Sequence, residues 1–113
     1  MMNLTVIEKV DNGYLCEFEF DGETWEKVID YKELMINIKT RVEANINIEY
    51  LVPVEEVVIT IEKYDEEYDV ILNTWIYTNE GVSYKDKFIK TYKRLSSAIK
   101  LANSFGHNVE VIY

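Results

Sequence analysis

The chain is poor in the residues that staple, kink or catalyse: of 113 residues, one is cysteine, one proline, one histidine and four glycine. A lone thiol excludes an internal disulfide. Cys16 falls on the same strand face as Tyr14, Phe18 and Phe20, which reads as a buried thiol in a reducing compartment. Glu17 beside it opposes a thiolate, so Cys16 is not read as reactive. The scarcity of glycine and proline, with 48% hydrophobic and 13% aromatic residues, excludes collagen-like, low-complexity and disordered chains.

With His107 as the only histidine, no Ser, His and Asp constellation can be assembled, and no glycine-rich phosphate loop or Cys/His metal spacing is present. His107 follows Gly106 at an expected helix end, where the helix dipole favours a cation. Asp65, Glu67 and Asp69 alternate as the first ligands of a calcium loop would, but Val70 and Ile76 stand where that loop needs glycine and glutamate. Among 21 acids a carboxylate pair can be nominated anywhere, so none is. The expectation is a non-enzymatic protein with no catalytic residues, no metal and no cofactor. Charges interrupt every window long enough to span a bilayer, and Met1 to Val10 lacks a basic region followed by an apolar core. A cytoplasmic protein without membrane contact is expected, and the Asn3, Leu4, Thr5 sequon is then a chance match.

What is present is alternation. Leu4 to Val10 reads as a strand, Asp11, Asn12 and Gly13 as a hairpin turn into Tyr14 to Phe20, and Asp21 with Gly22 as a second turn into Glu23 to Ile29. Asp30, with Glu33 three residues on, caps a helix whose buried stripe is Tyr31, Leu34, Met35, Ile38 and Val42, ending near Ala44 and Asn45. Ile46, Ile48 and Tyr50 alternate with Asn47, Glu49 and Leu51 as a short strand ending before Pro53; the alternatives over Asn45 to Leu51 are more helix or coil.

From Glu55 the order recurs. Val57, Ile59 and Ile61 alternate with Val58, Thr60 and Glu62; after Asp65 to Glu67, the run Tyr68 to Tyr77 is apolar on both faces, as an interior strand is. A turn over Thr78 to Gly81 leads to a half-exposed strand, with Val82, Tyr84 and Phe88 on one side and Ser83, Lys85 and Lys87 on the other. Near Lys93 the period becomes helical, placing Leu95, Ala98, Ile99, Ala102 and Phe105 on one stripe and Gly106 at a left-handed end; Val109 to Tyr113 closes as a strand. Trp25 and Trp75 are read as core. The fold class is therefore α+β: an antiparallel β-sheet with two α-helices, in the pattern βββαβ-βββαβ. The 113 residues fit a single domain, 1–113, with pattern halves 1–54 and 55–113.

Charge is the most informative feature. The net charge is −9, unevenly spread. Glu55, Glu56, Glu62, Asp65, Glu66, Glu67, Asp69 and Glu80 face only Lys63 between Glu55 and Glu80, whereas Lys85, Lys87, Lys90, Lys93, Arg94 and Lys100 face only Asp86 after it. Earlier, Glu17 and Glu19 share a strand face, and Glu23 and Glu26 sit near the next hairpin. Such runs ordinarily keep a domain soluble and apart from its copies. On a rigid strand, however, alternate residues lie about 7 Å apart, a spacing able to present carboxylates as a nucleic-acid backbone presents phosphates. Tyr64 and Tyr68 flank the Asp65 to Glu67 tip, where tyrosine suits either a half-exposed strand or an interface anchor. Lys85 to Lys100, with Tyr84, Phe88 and Tyr92 interleaved, would suit nucleic acid, but the overall negative field opposes a polyanion.

In size, acidity and tyrosine content the chain resembles the small antagonists encoded by phages and mobile elements, such as anti-CRISPR and antirestriction proteins. That likeness is one of composition and transfers no functional residue. It implies an inhibitor that blocks the basic nucleic-acid-binding groove of a partner, a nuclease for example, by charge mimicry, without binding nucleic acid itself. The expected contact residues are Tyr64, Asp65, Glu66, Glu67, Tyr68 and Asp69 with Glu17, Glu19 and Glu23. The rival is a structural or regulatory module that binds its own copies or a partner through a sheet edge or a tyrosine-bearing surface. A small-ligand domain would need an apolar pocket, which sequence does not show.

Overall fold

The computed structural model describes residues 1–112. Its elements are β1 (Met2–Val10), β2 (Gly13–Phe20), β3 (Glu23–Ile29), α1 (Tyr31–Lys39), β4 (Ile46–Tyr50), β5 (Val54–Tyr64), β6 (Glu67–Thr78), β7 (Gly81–Tyr92), α2 (Leu95–Ser104) and β8 (Asn108–Ile112). Tyr113, expected to end the last strand, lies outside the described residues. The strands form two four-stranded sheets, ordered β3-β2-β1-β4 and β7-β6-β5-β8, in a mixed α+β fold. The chain divides into two compact units: Met1–Val54 with Tyr77–Gly81, and Glu55–Ile76 with the chain from Val82 onward.

Neither sheet is purely antiparallel, which corrects the expectation from sequence. In the first, β4 runs parallel to β1 from Met2↔Ile46 to Val6↔Tyr50. In the second, β8 runs parallel to β5 from Val58↔Asn108 to Glu62↔Ile112. The cause is a matter of direction. Two hairpins return the third strand of each unit to the direction of the first, and the helix then acts as a crossover between like-directed strands, so the strand after it travels the same way as the first strand of its unit, beside which it lies.

The first unit closes one face of its sheet with α1. Asp30 caps the helix by accepting from the Glu33 N–H at 2.8 Å. Leu34, Met35 and Ile38 are buried, together with Leu4 and Val6 of β1, Tyr14, Cys16 and Phe18 of β2, and Ile29. The helix stops at Lys39, earlier than its periodicity suggested. Thr40 turns both its N–H (3.0 Å) and its hydroxyl (2.7 Å) to the Ile36 carbonyl, and Arg41 donates its guanidinium to the Ile38 carbonyl. Val42, placed on the buried stripe by sequence, consequently lies in the following turn, 81% exposed. Phe20 and Trp25, also read as inward, are exposed at the far end of the sheet, with Trp25 stacked on Phe18 at 5.7 Å between ring centroids. Asn79 of the Tyr77–Gly81 turn holds β4 by both amide groups. Its Oδ1 accepts from the Tyr50 N–H (2.7 Å) and its Nδ2 donates to the Tyr50 carbonyl (2.9 Å).

The second unit packs α2 on Ile59, Ile61 and Val70. Ala98 and Ala102, both fully buried, form the helix side of this core, and Tyr68, Leu72, Ile89, Leu95, Ile99 and Val109 surround it. Phe105 lies at the helix terminus, 39% exposed, and Gly106 takes the left-handed conformation expected of it, at φ +74. On the opposite parity of β5 and β6, Asn73 is buried and satisfied. Its Nδ2 donates to the Thr60 hydroxyl (2.9 Å) and the Val58 carbonyl (3.2 Å), and the Tyr84 hydroxyl donates to its Oδ1. As the edge of its sheet, β7 is exposed on both sides from Gly81 to Phe88, not on one side as the alternation suggested, and reaches the α2 core only from Ile89.

Candidate partner-binding surfaces

The Asp65 to Asp69 segment divides by role. Asp65 adopts φ +55 in the two-residue turn between β5 and β6, a conformation aspartate tolerates better than most side chains. Tyr64 (72% exposed), Asp65, Glu66 and Glu67 project at the tip. Tyr68 turns inward against the α2 core, and Asp69 is half-buried, its Oδ1 accepting from the Thr91 hydroxyl at 2.7 Å. Four of these six side chains are thus presented outward, and two serve the fold.

Glu17, Glu19 and Glu23 belong to the other unit, and strand register separates them. Cross-strand pairing places Glu23 with Phe20, on the parity of Phe18 and Trp25, the side that carries α1. Glu17 and Glu19 point the other way, to the face opposite α1, and there they have company. One row across the sheet reads Glu26, Glu17, Thr5, Glu49; the next reads Thr24, Glu19, Asn3, Asn47; a third begins Val28, Leu15, Glu8. Neighbouring members of a row are about 4.8 Å apart, and alternate positions along a strand about 6.7 Å. Among these residues there are carboxylates at Glu8, Glu17, Glu19, Glu26 and Glu49 but no lysine or arginine. Glu17 is half-buried and the other four are exposed.

Sequence reasoning missed three of these five carboxylates as members of the face. Glu8 joins it only because the β1–β2 register shifts between Val6 and Glu8, and Glu49 only because β4 pairs in parallel with β1. Glu26 is the exception that strand alternation and the Asp21-Gly22 hairpin signalled: a two-residue turn sets it opposite Glu17.

Other groups carry less. Cys16 is fully buried, and burial, with the Glu33 carboxylate second, pushes its thiol up to about 11. Burial likewise raises the Tyr50 phenol, partly offset by Arg41. Lys85, Lys87 and Lys90 are exposed, Lys90 with its ammonium 5.0 Å from the Tyr92 ring centre, and His107 is exposed. Among the described residues, no three His, Cys, Asp or Glu side chains converge as a metal cradle, and no helix is long and apolar enough to cross a membrane. No protein-family model, no curated protein and no solved structure matches this chain.

Proposed function

We propose that the chain is a non-enzymatic, cytoplasmic inhibitor of the kind phages and mobile elements encode, which covers the basic nucleic-acid-binding groove of a partner protein with carboxylates in place of phosphates. The observation that supports this reading is the open face of the first sheet, where Glu8, Glu17, Glu19, Glu26 and Glu49 stand on a hydrogen-bonded lattice with no base among them. A sheet gains nothing in stability from Glu17 opposite Glu26, since like charges directly across a strand pair repel. A surface that meets a row of lysines or arginines gains affinity and approach rate from it. The exposed tip Tyr64 to Glu67 is the second acidic element of this reading. The matching strand orders of the two units support the finer inference that the chain is one βββαβ plan used twice.

The test is capture of candidate defence nucleases on the immobilised protein, eluted in parallel by salt and by competing DNA. A basic nucleic-acid-binding protein released by both is the expected result. Reversal of Glu17 and Glu19 to lysine should then weaken binding by tenfold or more, on the order of 1.4 kcal/mol. Unchanged affinity would remove the open face from the proposal, and the same test on Glu66 and Glu67 applies to the tip.

A second reading, association through a sheet edge, is favoured by one observation. Both β3 and β7 are uncovered edges bearing large exposed side chains: Trp25 on the first, Val82, Tyr84 and Phe88 on the second. Edge pairing through backbone hydrogen bonds and apolar contact would survive salt that dissolves charge mimicry.

A further inference from the structure

The longer edge strand of each sheet, β3 in the first and β7 in the second, carries a sequence complementary to the other. β3 ends the first sheet and is exposed from Glu23 to Val28; β7 ends the second and is exposed from Gly81 to Phe88. An uncovered edge offers unpaired backbone groups to any strand whose side chains fit, and charges decide which strands those are. Two copies of β7 meeting antiparallel about Asp86 would set Lys85 against Lys87 and Asp86 against Asp86, so that register repels itself.

β3 against β7 behaves differently. Laid antiparallel with Glu26 opposite Lys87, β3 sets Lys27 opposite Asp86, Glu23 opposite Lys90 and Trp25 opposite Phe88, giving three opposite-charge pairs and an aromatic pair in one register. Trp25 already stacks on Phe18 with ring planes 9° apart, so Phe88 would extend an existing aromatic row. A slip of one residue in either direction sets Lys27 opposite Lys85 or Lys87, so the neighbouring registers are repulsive.

We propose that β3 of one molecule adds antiparallel to β7 of a second copy in this register, joining their sheets head to tail. The proposal rests on the self-association reading above and specifies its surface. Because the contact is between unlike edges, each junction leaves one β3 and one β7 uncovered, so assembly proceeds as an open series or closes as a ring.

Sedimentation velocity of the full chain at concentrations up to about 1 mM tests it. The unmodified chain should show concentration-dependent association extending beyond the dimer. Glu26→Lys and Lys87→Glu should each weaken that association about tenfold, and the double reversal should regain it. An unmodified chain that stays monomeric throughout overturns both self-association and this junction. Association that ignores the single reversals, or that the double reversal fails to regain, overturns the junction and leaves self-association to another surface.

Discussion

Gly13 has no room for a side chain. A Cβ there would stand 2.0 Å from the Ile29 carbonyl oxygen and 2.9 Å from the Asp30 Cα, both backbone atoms of the strand end beside it. Neither neighbour can swing away as a side chain would. Gly13→Ala should therefore cost about 3 kcal/mol, read from the urea midpoint of the first unit. Cys16 makes a prediction in pH. Its thiol ionises near 9.0 in the unfolded chain and is pushed up to about 11 when folded, so the folded state holds the proton longer. Its contribution is complete below pH 9.0 and is lost as pH rises toward about 11, at about 1.4 kcal/mol per unit in that window. Unfolding midpoints compared between pH 8 and pH 10, roughly, should fall more steeply for the unmodified chain than for Cys16→Ala.

At the scale of elements, the open face of the first sheet sets stability against binding. Glu17 and Glu26 are directly paired across β2 and β3, an arrangement that costs a few tenths of a kcal/mol. Glu17→Gln should raise the thermal midpoint slightly while weakening a basic partner. A variant that gains stability without losing affinity would identify the face as merely solvated. The Asn79 clasp on β4 gives the opposite case. Asn79→Ala leaves the Tyr50 N–H and carbonyl without the amide that holds them at 2.7 and 2.9 Å. A loss of about 1 to 2 kcal/mol is expected, with faster amide exchange at Tyr50 as its local signature. This contact joins residues 29 apart in sequence, so no window of local pattern contains it.

For the molecule as a whole, salt distinguishes the proposed modes of association. Binding carried by carboxylates on a sheet face should weaken steeply as ionic strength rises from roughly 0.05 to 0.3 M, because the Debye length falls to within the spacing of the charges. Edge addition of β3 to β7 should weaken less over the same range, since backbone hydrogen bonds and the Trp25 with Phe88 contact are not screened. A titration of either association against salt therefore reports which surface is in use.

The order of elements was legible in the sequence because it is set by neighbours. Asp-Asn-Gly and Asp-Gly make hairpin turns, Asp30 with Glu33 caps a helix, and period-two and helical stripes need only a few adjacent residues. The acidity of Glu17 and Glu19 on one strand face was readable for the same reason. Tertiary structure alone brought Glu8 and Glu49 onto that surface. The parallel return of β4 to β1 brings Glu49 into the row with Glu17, and a register shift near Ile7 turns Glu8 to the same side. Both depend on pairing between strands, where a displacement of one residue exchanges the faces of a sheet and local pattern carries no record of it.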